Sequence, residues 1–182
     1  MNKNKGFTLV ELILSFAISS IIVLTLFSIL NFTIKSCKLG EFEDEVLLNG
    51  RYVIEYIKRE IKGADKVIAL NKFDGLEERY ENNLGFVIMK YDSGGTYKYN
   101  YSTYFYKNNR IYRDAFNTNI DKLPKGSAFS GNNEIAEYII SIDGSNANFN
   151  TKLINLSITL EGKNNKEIRF QSKLNIRCPV IY

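Results

Sequence analysis

The chain has 182 residues, 45% hydrophobic and 24% charged, with a net charge of +4, an ordinary globular composition with room for one domain and an extra element. So mild and evenly mixed a charge is a poor electrostatic footprint for a dedicated nucleic-acid binder. Histidine is absent, which removes the commonest general base, the commonest zinc ligand and every Ser-His or Cys-His nucleophile pair; no catalytic residue, metal, cofactor or small-molecule substrate is expected.

Met1 to Lys5 is polar, with Lys3 and Lys5, and from Gly6 to Ile34 the only charged residue is Glu11. Leu12 to Leu30 is an uncharged run of 19 residues, which as a helix at ~1.5 Å per residue nearly spans the ~30 Å hydrocarbon core of a bilayer. A secretory signal peptide would have a shorter apolar region followed by a small-residue cleavage site, and none follows here. A plain membrane anchor fits the length and leaves Glu11 unexplained. Lysine counts do not orient the helix, because Lys35 and Lys38 balance Lys3 and Lys5. A carboxylate just inside a lipid-bound helix costs roughly a few kcal/mol and marks a function. Ser15 and Ser19, four apart, would let neighbouring helices approach closely.

The stretch Lys5-Gly6-Phe7-Thr8-Leu9-Val10-Glu11-Leu12 closely resembles the type IV prepilin signal, and the matching region covers roughly residues 3 to 34. The resemblance implies that a membrane peptidase cuts after Gly6 and that the new N-terminus, Phe7, is methylated. It also implies that Glu11 pairs with the Phe7 amine of a neighbouring subunit and so sets axial register during assembly. Spacing is compatible with pairing inside one chain as well, since residues four apart share a helix face and pairing relieves two poorly solvated charges. The expected fold is then the pilin fold, an α+β architecture in which a long N-terminal helix packs on an antiparallel β-sheet. Residues 1–6 would be the leader, 7–34 the transmembrane and assembly half of the helix, and 35–182 the globular domain. Implied partners are other pilin subunits, the prepilin peptidase, an inner-membrane assembly platform and, before assembly, the membrane itself, with an extracellular pilus or pseudopilus as the destination. Two family features are missing: a proline or glycine midway along the apolar helix, and a closely spaced C-terminal cysteine pair.

Beyond Ile34 the helix is expected to continue to about Gly63. Leu39, Phe42, Val46, Val53, Ile57 and Ile61 form an apolar stripe of helical period. Glu41, Glu43, Asp44 and Glu45 read as its solvated side rather than a metal or catalytic cluster. Gly40 and Gly50 interrupt the stripe and are expected to bend it. Lys58, Arg59 and Lys62 before Gly63 give a basic last turn and a glycine stop. Cys37 and Cys178 are too distant for a CxxC motif; they read as two buried free thiols, or as a disulfide if the two ends meet.

After Gly63 the period becomes two. Strands are expected at Leu84–Tyr91, Tyr97–Tyr106, Ile111–Tyr112, Ile135–Ile142, Leu153–Leu160 and Glu167–Arg177, in one antiparallel sheet with an apolar and a polar face. Lys107-Asn108-Asn109-Arg110 is a tight-turn candidate, and Asp114 to Glu134 the longest loop. The stripe Leu39–Ile61 is the natural cover of the sheet. Residues 51–70 and Arg110-Ile111-Tyr112-Arg113 resemble the larger minor pilins and J-type pseudopilins.

No GxxxxGK[ST] loop, GxSxG elbow or HExxH helix is present. Asp143-Gly144-Ser145-Asn146 reads as a turn, not a calcium loop, and the Asn100-Tyr101-Ser102 sequon as chance. The tyrosines at 97, 99, 101, 104 and 106, with Lys90, Lys98, Lys107, Arg110 and Arg113, could hold single-stranded nucleic acid; sheet packing explains them more simply. The sequence thus points to a non-enzymatic, minor subunit of a type IV pilus, secretion pseudopilus or DNA-uptake pilus. A membrane-anchored binding or adhesion module that never polymerises is the alternative.

Overall fold

The computed structural model describes residues 8–80 and 82–182. Helix α1 covers Leu9–Lys62. The chain divides into two units, Met1–Phe42 and Glu43–Tyr182. In the first, every large apolar side chain from Leu9 to Ile34 is exposed, Phe16 and Phe32 by about three-quarters. Gly40 does not interrupt the helix, and neither does Gly50 in the second unit.

The second unit is α+β, with the helix packed on mostly antiparallel sheet. Strands β1 (Lys66–Ala69), β2 (Asn83–Tyr91), β3 (Tyr99–Lys107), β4 (Arg110–Thr118) and β5 (Asn133–Ala136) build one sheet with β10 (Val180–Ile181), in the order β10-β1-β2-β3-β4-β5. Strands β6 (Ile139–Ser141), β7 (Asn146–Asn148), β8 (Leu153–Glu161) and β9 (Glu167–Asn175) build a second, in which β8 pairs with all three others. A short helix, α2, spans Leu76–Arg79.

Four expectations need correction. The sheet is two sheets. The strand expected over Ile135–Ile142 breaks at Tyr138, whose φ of 62° takes the backbone out of the extended region, and its halves join different sheets. The expected last strand, Glu167–Arg177, stops at Asn175, and the chain then returns as β10 and pairs in parallel with β1, Val67 opposite Val180. The long loop is shorter than expected, because β4 runs on to Thr118 with Thr103 opposite Asp114. The tight turn is as read: Asn108 and Asn109, with φ of 51° and 60°, close a two-residue hairpin between paired Lys107 and Arg110, the left-handed geometry that asparagine tolerates.

The first sheet is buried on both faces, not one. On one face lie Ile88 and Tyr104, reached by the last turns of α1; the buried side of that helix is Val46, Gly50, Val53, Ile54, Ile57 and Ile61. Tyr56 of α1 meets the Tyr104 ring edge-on at 6.5 Å, and Glu60 takes Lys90 at 2.7 Å and Arg113 at 3.7 Å. On the other, Val87, Met89 and Tyr101 join Ile68, Leu70, Phe73, Leu76 and Phe129 in a second core. A residue in mid-strand is therefore enclosed whichever way it points, which is why Phe86 to Met89 are buried without alternation. The second sheet keeps the expected alternation on β9, with Ile168, Phe170, Leu174 and Ile176 turned inward. Gly50 is where α1 passes over Phe170: a Cβ there would stand 2.5 Å from Cδ2 and 2.6 Å from Cζ of that ring.

Candidate functional site

The site is the first turn of α1. Thr8 precedes the first helical residue, Leu9, and its backbone N–H and hydroxyl both donate to Glu11 Oε2 at 2.9 Å. In return the Glu11 N–H donates to Thr8 Oγ1 at 3.3 Å, and the Leu12 N–H reaches the Thr8 carbonyl at 3.2 Å. This is a capping box: two N-terminal donors that the helix cannot satisfy are met by side chains reciprocally. Inside a bilayer, where water cannot stand in, such closure is worth more than at a protein surface. Thr8 was not singled out from the sequence, although Thr-x-x-Glu before an apolar run is a recognised helix-start signal. Gly6 and Phe7 lie outside the described residues, as does the leader.

Further along, the apolar stretch satisfies its own hydroxyls. Ser15 donates to the Leu12 carbonyl at 2.9 Å, Ser20 to Phe16 at 2.8 Å, Thr25 to Ile22 at 2.7 Å and Thr33 to Ile29 at 2.9 Å. Bonds of this kind hide the hydroxyls against the backbone and leave a lipid-compatible surface whose one charge is Glu11. Among the described residues α1 is the one helix long and apolar enough to cross a membrane, and none of that window is buried within the chain. An apolar surface of this extent requires lipid or other helices to cover it.

Of the other features weighed, Glu41, Glu43, Asp44 and Glu45 are all exposed, and Glu45 accepts the Tyr138 hydroxyl at 3.2 Å. Cys37 and Cys178 are both free, Cys37 being exposed and Cys178 half-buried; the expectation of two buried thiols fails because Cys37 lies on a helix turn that nothing in its own unit covers. Tyr101 and Tyr104 are core residues, 3% and 0% exposed, so their role in the sheet is packing.

An apolar helix of membrane length, opened by a carboxylate-bearing cap and followed by an α+β unit, suits a chain anchored in a membrane by its N-terminal segment. Residues 1–30 match the family model described as the prokaryotic N-terminal methylation motif, and the chain therefore carries the type IV prepilin-type signal of a pilin-like or pseudopilin-like precursor. No curated protein and no solved structure matches the chain significantly.

Proposed function

We propose that the chain is a structural, minor subunit of a type IV pilus or a related pseudopilus. The prepilin peptidase cuts it after Gly6, Phe7 becomes its methylated N-terminus, and residues 7–34 anchor it in the cell membrane until an inner-membrane platform assembles it with sister subunits into a filament. Residues 35–182 are the globular part, and the protein has no catalytic role. The observation that carries this reading is a single carboxylate, Glu11, inside an otherwise uncharged helix of membrane length, within a matched methylation motif. Minor rather than major status rests on size and on the missing midway helix breaker and C-terminal cysteine pair.

The first test is the intact mass and N-terminal sequence of the native protein from sheared surface material and from membranes. A chain beginning at methylated Phe7 in the sheared fraction supports processing and export together; full-length protein confined to the membrane refutes the reading in favour of an anchored module. A second test separates the two jobs of Glu11. Glu11→Gln keeps a capping-box residue and removes the charge, whereas Glu11→Ala removes both. Loss of filament incorporation in both variants is expected. Normal incorporation of Glu11→Gln would reduce Glu11 to a helix cap.

A further inference from the structure

Near the β3–β4 turn, on the sheet face turned away from α1, lies a groove that neither the apolar helix nor the signal uses. Its floor is a stack of rings. Tyr80 lies on Phe105 with centroids 3.9 Å apart and planes 10° from parallel, and Phe105 lies against Tyr112 at 5.4 Å and 19°. The stack is locked from below, where the Tyr80 hydroxyl donates to Asp114 Oδ2; Asp114 is fully buried, and its other oxygen accepts the Ala115 N–H at 3.0 Å. Arg79 is fixed across the rim by a bond to the Gly126 carbonyl at 2.9 Å, with its guanidinium 5.2 Å from the Tyr80 centroid.

Two adjoining cavities open here. The larger, about 470 Å³, is lined chiefly by Arg79, Tyr80, Lys107, Asn108, Tyr112 and Asn132, and its size falls in the range of small-ligand sites. The smaller, about 300 Å³, shares Arg79, Tyr80, Phe105 and Lys107 and adds Asn82 and Glu78. Among the described residues neither Arg79 nor Lys107 has a carboxylate within ion-pair distance. Among the described residues, the larger cavity therefore presents two cations without an ion-pair partner, two carboxamides and no carboxylate on its wall.

From this donor set we infer that the groove binds an acidic oligosaccharide, its carboxylate held by Arg79 and Lys107 and its hydroxyls by Asn108 and Asn132. A planar guanidinium beside an ammonium suits a carboxylate, and carboxamides both give and accept the hydrogen bonds that sugar hydroxyls need. Glu78 repels a second acid group from the smaller cavity, so a neutral sugar unit belongs there, beside Asn82. Single-stranded nucleic acid fits poorly, because successive bases need free ring faces and these rings are spent on one another. A lipid surface fits no better, since among the described residues no aliphatic side chain lines either cavity.

The experiment is calorimetric titration of the full chain, in neutral detergent, with oligomers of galacturonate, hyaluronate and sialate. Methyl-esterified galacturonate and a dodecamer of thymidylate serve as controls. At least one acidic oligomer is expected to bind, and its neutral ester about tenfold or more weakly, as befits loss of a charge-assisted contact. Arg79→Ala and Lys107→Ala should each weaken it by a similar factor with unchanged near-ultraviolet circular dichroism, while Lys122→Ala changes nothing. Failure of all three acidic oligomers to bind at about 10 mM, equal binding of the ester, or tighter binding of the thymidylate would each overturn the assignment.

Discussion

Gly50 tests the packing of α1 on the second sheet. In an isolated helix, replacing glycine by alanine stabilises by about 1 kcal/mol, because alanine loses less backbone freedom on folding. Here the added Cβ would meet the Phe170 ring at 2.5–2.6 Å, well inside van der Waals contact, and overpacking of this kind costs typically about 1–3 kcal/mol. Phe170 could swing away only by giving up its half-buried place under the helix, which forfeits a comparable amount of apolar burial. Glycine's propensity deficit and the clash thus have opposite signs, and the clash is the larger. Gly50→Ala should destabilise the globular unit by about 1–2 kcal/mol, a fall in Tm of several degrees for a unit of this size. Thermal unfolding of the full chain in detergent, followed by the near-ultraviolet signal of the tyrosines, measures this directly. Gly40→Ala is the control, since nothing lies within 4 Å of a Cβ there, and it should not lower Tm. Adding Phe170→Leu to Gly50→Ala should recover part of the loss. A Gly50→Ala protein that melts at or above the wild-type temperature would refute the close-approach argument.

Gly126→Ala should cost more than Gly50→Ala, because its Cβ would stand 2.6 Å from the Gly75 carbonyl carbon and the Leu76 Cα, backbone that cannot rotate aside; a smaller fall in Tm than for Gly50→Ala would count against it. Glu60→Gln should destabilise by about 1–3 kcal/mol in urea unfolding, because it strips the counter-charge from Lys90 and Arg113; that figure is reduced from the fully buried case because the two cations keep partial exposure. An unchanged midpoint would show the cluster to be dispensable. Stability should fall as pH rises above about 10. Burial, helped by Glu60 for Tyr104 and by Asp114 for Tyr80, raises the folded-state pKa of Tyr56, Tyr80, Tyr101 and Tyr104. The unfolded chain then releases those protons first, and the stabilisation present below the unfolded value is lost. Tyr104→Phe should flatten the urea-midpoint profile between pH 9 and 11, about one unit either side of the tyrosine reference value, and an identical slope would refute the assignment.

What was legible in the sequence was whatever local chemistry decides. The apolar run, the stripe from Val46 to Ile61, the alternation of β8 and β9 and the Asn108-Asn109 turn each depend on neighbours within a few residues. What was not legible depends on distant chain. No property of Val180 and Ile181 announces a parallel pairing with Val67 and Ile68, more than a hundred residues earlier. Nor does Tyr138 reveal the positive φ that divides one apparent strand between two sheets. The two-sided burial of the first sheet follows from Phe73, Leu76 and Phe129 folding back over Met89 and Tyr101; Phe129 fell in the expected long loop, and Phe73 and Leu76 in a stretch to which the sequence assigned no element. The groove was hidden for the same reason: Tyr80, Phe105 and Tyr112 come from three separate segments and become a stack only when β3 and β4 pair.

At the N-terminus the sequence singled out Glu11 and left its neighbour Thr8 out. Reading Glu11 against Phe7 uses the four-residue spacing of a helix face; Thr8 lies three residues away and completes the cap instead. The two roles are compatible. A carboxylate that merely avoided lipid could turn along the helix toward any water within reach. Glu11 is instead held back at the helix N-terminus by two Thr8 donors, where the helix dipole also favours negative charge. In sequence, the amine that cutting after Gly6 would create belongs to the residue immediately before Thr8. The cap therefore keeps the one charge of the apolar segment at the end of the helix where processing would place a positive partner, and an uncut chain would already hold its carboxylate there.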